Sequence, residues 1–179
     1  MSAPEPAPEP APELAYVGND QFVADVRTLA ALLRADAWQA DFIVGIGRGG
    51  LVPAVYLSHA TGIALLSVDH SSKVATFGDA LLALLAAKTA AGIRLLIVDD
   101  INDSGRTLRY LRTAIADGGG DPDRLRIAVL IDNIRSIETV DYRARTIDRK
   151  LDQRWFVFPW EAMAEAEATL IEAAVRHHA

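Results

Sequence analysis

Short, predominantly apolar runs constrain the fold of this chain more than any other feature, and they cover residues 42–46, 64–68, 94–98 and 125–131. Segments with helical spacing of apolar residues alternate with them, at residues 19–34, 51–60, 79–91 and 105–117. A shorter fifth run, residues 155–158, precedes a predicted terminal helix over residues 161–176. Buried strands that alternate with helices are typical of a mostly parallel sheet covered on both faces. The sequence therefore predicts an α/β fold.

The first residues differ in composition from the rest of the chain. Residues 1–13 contain five prolines and three glutamates, which favours an extended, solvated arm rather than a signal peptide. The remainder of the 179 residues suffices for one domain. We therefore expect a disordered arm over residues 1–18 and a single domain over residues 19–179.

Charge and composition exclude several classes of protein. The net charge of -6 argues against a nucleic acid as the main partner, and the absence of cysteine excludes disulfides and thiolate metal sites. No run approaches the ~18 uncharged apolar residues of a membrane span. These features predict a cytoplasmic protein without a membrane partner.

The third apolar run leads directly into an acidic segment. Asp99 and Asp100 follow it, then Asp103, and then a turn into a helix that reads Ser104-Gly105-Arg106-Thr107. The unpaired N–H groups and positive dipole end of such a helix can bind a phosphate. Three or four hydrogen bonds to charged oxygens, at about 1.5–3 kcal/mol each, suffice for micromolar binding. The segment predicts a phosphate-binding turn preceded by carboxylates.

Adjacent carboxylates beside a phosphate require a cation or a sugar between them. At about 4 Å, a phosphate and a carboxylate repel each other by roughly 4 kcal/mol at an effective dielectric constant of about 20. Either Asp99 and Asp100 accept hydrogen bonds from ribose hydroxyls, or they bind Mg²⁺ through water or through the ligand. A ribose phosphate that bears a diphosphate satisfies both alternatives.

Residues 98–107 resemble the phosphoribosyl-diphosphate-binding motif of the type I phosphoribosyltransferases, and the resemblance extends over about residues 40–161. It implies a fold with a small base-binding hood, and a homo-oligomer, since relatives commonly form dimers or tetramers. It also implies that Asp99 and Asp100 bind ribose and assist Mg²⁺, and that residues 103–107 bind the 5-phosphate. Asp103 would be the general acid/base of a purine enzyme, which joins guanine, xanthine or hypoxanthine to the ribose phosphate of phosphoribosyl diphosphate.

A glycine-rich turn follows the first apolar run. Residues 45–50 match the G-x-G-x-x-G pattern of dinucleotide-binding folds, with Asp69 at the end of the next strand. That alternative leaves the acidic segment unexplained. The turn also resembles the diphosphate-binding turn of the xanthine-guanine phosphoribosyltransferases, on residues Arg48, Gly49 and Gly50. This second resemblance implies a cis peptide bond between residues 47 and 48.

The segment from residue 155 to residue 161 is unusually aromatic for a chain with 7% aromatic residues. Aromatic faces stack on nucleobases. The segment resembles the base-binding strand of the purine enzymes, which implies that Trp155 stacks on the base and that the backbone of Phe156 contacts the base edge. The alternative is that Trp155, Phe156 and Phe158 are core aromatics, and a core position is the prediction for Phe158 and Trp160.

The chain departs from the purine family at two places. Asp132 and Asn133 stand where 6-oxopurine enzymes have a lysine, and an ionised Asp132 cannot donate a hydrogen bond. Either Asn133 donates instead, or the pocket prefers a base with an amino group, or the alignment is displaced and Asp132 lies on the surface. The loop that closes over the site in relatives reads His70-Ser71-Ser72-Lys73, without their tyrosine, and is expected to be solvated.

Two alternatives to a purine-salvage enzyme follow from these departures. One is a non-catalytic sensor of phosphoribosyl diphosphate, which would retain both binding turns. The other is a phosphoribosyltransferase for an unusual base, which Asp132 favours.

Overall fold

Parallel strands and covering helices make up the part of the chain that the computed structural model describes, residues 13–68 and 75–177. The strands are β1 (Leu14–Tyr16), β2 (Phe42–Ile46), β3 (Ala64–Val68), β4 (Leu95–Asn102), β5 (Leu125–Asn133), β6 (Tyr142–Ile147) and β7 (Trp155–Val157). The helices are α1 (Asn19–Ala35), α2 (Gly47–Thr61), α3 (Ala75–Ala90), α4 (Arg106–Asp117) and α5 (Ala166–His177).

The central sheet has five strands in the order β3-β2-β4-β5-β6, and every neighbouring pair is parallel. β4 lies in the middle. The carboxyl ends of β2, β4 and β5 therefore meet at one edge, where ligands bind in open α/β sheets. The predicted α/β fold with a mostly parallel sheet is confirmed.

Helices cover both faces of this sheet and form two hydrophobic clusters. On one face, α1 and α2 pack on β2, β4 and β5; on the other, α3 and α4 do so. The buried face of α1 consists of apolar residues spaced three or four positions apart, namely Phe22, Val26, Leu29 and Leu33. Full burial of each contributes about 1.5–3 kcal/mol. Within the described ranges, no helix combines the length and apolar character that a membrane crossing needs.

A second, two-stranded sheet pairs β1 with β7 in parallel, with Leu14 opposite Trp155. The Val17 N–H extends this pairing by donating to the Val157 carbonyl at 2.9 Å, and Val17 is buried in the core. The expected disordered arm over residues 1–18 is therefore too long. The short apolar stretch from Leu14 to Val17 pairs and packs, because β7 offers it both an open strand edge and a hydrophobic surface.

Several element boundaries differ from those predicted. β4 continues to Asn102 and β5 to Asn133, because the two strands stay paired as far as Asn102 and Asp132. The chain is extended at Ala164, which separates a 3-10 turn at Glu161–Met163 from α5 and shortens the predicted terminal helix. The sequence also gave no indication of β6, whose Tyr142 and Arg145 side chains bond to Asp36 and Asp25 on the α1 side.

Candidate active site

The first turn of α2 lies against the end of β4. A Cβ atom placed on Gly50 would lie 2.1 Å from the Val98 carbonyl oxygen, and one on Gly49 would lie 2.4 Å from Asp100 Oδ2. Only glycine permits this approach. It brings the backbone of residues 47–50 beside Asp100, so the two turns singled out in the sequence belong to one site. The start of α2 has no side-chain cap, and Arg48 is exposed.

The expected cis peptide bond before Arg48 is wrong. No peptide bond in the described ranges is cis, and Gly47 instead has a φ of 55°. This left-handed conformation is accessible to glycine without steric cost, and it lets β2 run directly into α2.

Asp99 and Asp100 lie in β4 itself, since the strand continues past them. Asp99 Oδ1 accepts a hydrogen bond from the Asp100 N–H at 3.0 Å, and Asp100 Oδ1 accepts one from the Ile101 N–H at 2.7 Å. Both side chains are partly buried. These local bonds orient two carboxylates at the sheet edge, beside the first turn of α2.

The turn after β4 ends in a left-handed glycine. Gly105 has a φ of 83° and precedes the first residue of α4. A Cβ at Gly105 would lie 2.5 Å from Ser136 Oγ, so glycine is required by both conformation and space. Ser104, Arg106 and Thr107 are exposed around the start of α4. Within this turn, the Arg106 N–H donates to Ser104 Oγ at 3.4 Å, and the surrounding side chains face solvent.

Asp103 is paired with an arginine that the sequence did not single out. Arg149 Nε donates to Asp103 Oδ1 and Nη2 to Oδ2, each at 2.8 Å. The Asn133 amide also donates to the Asp103 carbonyl at 3.0 Å. Arg149 is 46 residues from Asp103 along the chain, and only the fold brings them together. The presence of a basic residue six positions before Trp155 was the only signal for it in the sequence.

Asp132 is buried between strands. Its Oδ1 accepts a hydrogen bond from Asn102 Nδ2 at 2.8 Å, and its Oδ2 lies 3.9 Å from Arg143 Nη1. Asn102 is also buried, and its Oδ1 accepts from Ser136 Oγ at 2.8 Å. This network joins the ends of β4 and β5. The alternative of Asp132 as a surface residue is therefore wrong, and the network gives its carboxylate a structural role.

The aromatic segment divides into two parts. Trp155 and Phe156 lie in β7 and are only partly buried. Phe158 is buried and stacks on Trp160 at 5.0 Å between ring centroids, and Trp160 packs edge-on against Phe22. The predicted core positions of Phe158 and Trp160 are confirmed.

Two ion pairs hold the segment between β6 and β7, one to Arg135 in the preceding connection and one within the segment. Arg135 hydrogen bonds, together with the Lys150 N–H, lower the pKa of Asp148 to about 2. Hydrogen bonding to Arg154 lowers the pKa of Asp152 to about 2. Both carboxylates are thus ionised near neutral pH. Their bonds fix the backbone on either side of Arg149, which in turn contacts Asp103.

The four residues of the expected closing loop, His70 to Lys73, lie outside the described residues, as does Asp69. The structure therefore brings together residues 47–50, the acidic segment and the turn after β4. It connects β7 to them through Arg149, whose guanidinium carbon lies 5.4 Å from the Phe156 ring centroid.

Residues 15–167 match the phosphoribosyl transferase domain family. The chain is similar to the xanthine-guanine phosphoribosyltransferase of Cereibacter sphaeroides (strain ATCC 17025 / ATH 2.4.3), with 30% identity over 82% of this chain and 86% of the relative. It is also similar to the xanthine-guanine phosphoribosyltransferase of Gluconobacter oxydans (strain 621H), with 28% identity over 79% and 81%.

A solved structure agrees with these sequence matches. The purine phosphoribosyltransferase from Pyrococcus horikoshii Ot3 superposes with a TM-score of 0.61 at 27% identity, covering 83% of this chain and 95% of that chain. The range matched by the family includes every element of the candidate site.

Proposed function

Because the chain belongs to the phosphoribosyltransferase family, we propose that it transfers the 5-phosphoribosyl group of phosphoribosyl diphosphate to a purine base. The products are a nucleoside monophosphate and diphosphate. The observation that carries this proposal is the contact between the start of α2 and Asp100, which places one helix start beside the two carboxylates that lead into the turn before α4. The similarity to xanthine-guanine enzymes supports guanine, xanthine or hypoxanthine as the base.

Each part of the site suits one part of the donor substrate. The N–H groups of residues 48–50 would bind the diphosphate, and those of residues 103–107 the 5-phosphate, because both belong to helix starts without a side-chain cap. Asp99 and Asp100 would accept hydrogen bonds from the ribose hydroxyls. Trp155, which is partly exposed, would stack on the base, and the backbone of Phe156 would contact the base edge.

The carboxylates also suit Mg²⁺, which prefers oxygen ligands and retains several waters. In the described part of the chain, no group of three or more His, Asp or Glu side chains could bind a metal alone. Asp99 and Asp100 would therefore share the ion with water and substrate oxygens. Bound there, Mg²⁺ would neutralise charge on the diphosphate.

The reaction follows from these contacts. A ring nitrogen of the base attacks C1 of the ribose, a C–N bond forms, and the bond from C1 to the diphosphate oxygen breaks. Diphosphate leaves with the bonding electron pair, and Asp103 accepts the proton that the base loses. Most of the rate acceleration would come from positioning and from N–H donors aimed at the leaving group.

A panel of bases tests the proposal. We expect the protein to release diphosphate from phosphoribosyl diphosphate with guanine, xanthine or hypoxanthine, but not with adenine or pyrimidines, and only when Mg²⁺ is present. The measurement is diphosphate release with each base, with and without Mg²⁺. Binding of phosphoribosyl diphosphate without release for any base would instead favour a sensor. Release with adenine alone would favour a pocket for an amino-bearing base.

A further inference from the structure

Arg149 contacts both halves of the proposed site. Its guanidinium pairs with both carboxylate oxygens of Asp103, while its Nη1 donates to the Asp152 carbonyl at 3.3 Å and the Arg154 carbonyl at 2.6 Å. The same group lies over the Phe156 ring. Arg149 thus connects the turn after β4 to the segment that leads into β7.

The surroundings of Arg149 restrict it to this position. Its side chain is 20% exposed, against 41% for Asp103, so the arginine is the more buried partner. Its own N–H donates to Asn133 Oδ1 at 3.3 Å, and the Asn133 amide donates to the Asp103 carbonyl. The planar guanidinium is bound by the two carboxylate oxygens of Asp103 on one side and by two backbone carbonyls on the other. It therefore fixes the plane of that carboxylate.

Two consequences follow for Asp103. A carboxylate accepts about four hydrogen bonds, so a bidentate arginine leaves acceptor sites on both oxygens, in directions that the arginine sets. The arginine also compensates the negative charge of Asp103, which immediately precedes the turn proposed to bind a phosphate. Without it, a carboxylate and a phosphate would repel each other in that turn.

We propose that Arg149 is a positioning residue for the transfer reaction, acting through Asp103 and aligning that carboxylate with the base bound at β7. The inference rests on the proposed function and adds a residue to it. Arg149 itself touches no reacting atom; it sets the direction in which Asp103 accepts the proton.

A double-mutant cycle tests this role. We expect Arg149→Met to lower kcat at least tenfold, with a smaller change in the KM for phosphoribosyl diphosphate, and Asp103→Asn to lower kcat by about 10²–10⁴. If Arg149 acts through Asp103, then Arg149→Met in the Asp103→Asn background lowers kcat by less than a further twofold. A residue needed only for folding would cause the same loss in both backgrounds, and that result would overturn the inference.

Two further variants support the cycle. Arg149→Lys retains the charge but not the bidentate geometry, and we expect its kcat to lie between those of wild type and Arg149→Met, which also covers the case that the Met variant does not fold. Arg94→Met is the matched control, because Arg94 also pairs with a carboxylate, that of Asp41, through two nitrogens, but ahead of β4 at the opposite edge of the sheet, and we expect a kcat within threefold of wild type. Wild-type kcat in Arg149→Lys would contradict the inference.

The two proposals fail in different ways. Wild-type protein that turns over no base overturns the proposed function itself. Active wild-type protein whose kcat survives Arg149→Met within twofold overturns the role of Arg149 alone.

Discussion

Gly50 is the residue at which the packing of α2 on β4 is most sensitive to substitution. An alanine in a helix ordinarily stabilises it by about 1 kcal/mol relative to glycine. At Gly50 the added methyl group would meet the Val98 carbonyl at 2.1 Å, and backbone cannot move aside cheaply. We expect Gly50→Ala to lower the free energy of unfolding by about 1–3 kcal/mol and to weaken diphosphate binding. Urea denaturation and inhibition by diphosphate measure the two effects.

Gly18→Ala is the control for that substitution. Gly18 has a φ of -71°, and a Cβ placed there meets no atom within 4 Å. The free energy of unfolding of Gly18→Ala should therefore stay within about 0.5 kcal/mol of that of wild type. Equal stability of the two variants would mean that α2 does not approach β4 as closely as described.

The residues of the site differ in how far the sequence could predict them. Asp99, Asp100 and Gly105 were identifiable because their types and order have a local physical reason: a strand end, a phosphate and a helix start. Arg149 and Asn102 were not, because their partners lie 46 and 30 residues away along the chain. Asp132 was noticed for its unusual type, but its bond to Asn102 depends on the register of β4 and β5.

At the scale of elements, the segment between β6 and β7 should be sensitive to acid. The pKa of Asp148 and that of Asp152 are each lowered to about 2 by arginine hydrogen bonds, from an ordinary value of 3.8. A lowered folded-state pKa stabilises the protein above the unfolded value, and this contribution is lost as pH falls through the folded value. We expect the stability advantage of wild type over Asp148→Asn to be constant above about pH 5 and to shrink between pH 4 and 2.

Urea midpoints of wild type and Asp148→Asn across that pH range provide the measurement. Asp117→Asn, at the exposed end of α4, removes a carboxylate that forms no ion pair within residues 13–68 and 75–177, and it controls for net charge. If the difference in stability between wild type and Asp148→Asn does not change between pH 5 and 2, the ion pair of Asp148 with Arg135 does not stabilise the folded protein as described.

Elements with a uniform local pattern were predicted well. β2 and β3 have the predicted bounds because their runs are apolar and are followed in the sequence by glycine or by polar residues. β6 reads Tyr-Arg-Ala-Arg-Thr-Ile, which lacks such a run. It pairs with β5 on one side, and Arg145 forms an ion pair with the buried Asp25 of α1 at 2.8 Å. This stabilisation comes from a contact 120 residues distant, which local periodicity does not contain.

For the whole molecule, the boundary of the folded domain is testable by truncation. The composition of residues 1–12 predicts a solvated arm, so we expect their removal to leave the melting temperature unchanged. Removal of residues 1–17 also deletes β1 and Val17, whose burial alone contributes about 1.5–3 kcal/mol. That deletion should lower the melting temperature and raise the KM for the base, since β1 supports β7.

The melting temperature and the KM for the base, measured for both truncated proteins, distinguish these expectations. Equal melting temperatures for both would contradict a structural role of β1. The overall architecture could be predicted because it follows from alternating strands and helices, whereas the β1–β7 sheet could not, because β1 is only three residues long and carries little pattern.

The pairing of β1 with β7 places residues from opposite ends of the domain beside the proposed base site. A tag or fusion partner attached ahead of residue 13 would enter the protein next to the strand proposed to contact the base, and comparison with an untagged protein is needed before any base preference is measured. Selection for a new base can likewise act on residues 14–17, which no inspection of the binding motifs alone would suggest.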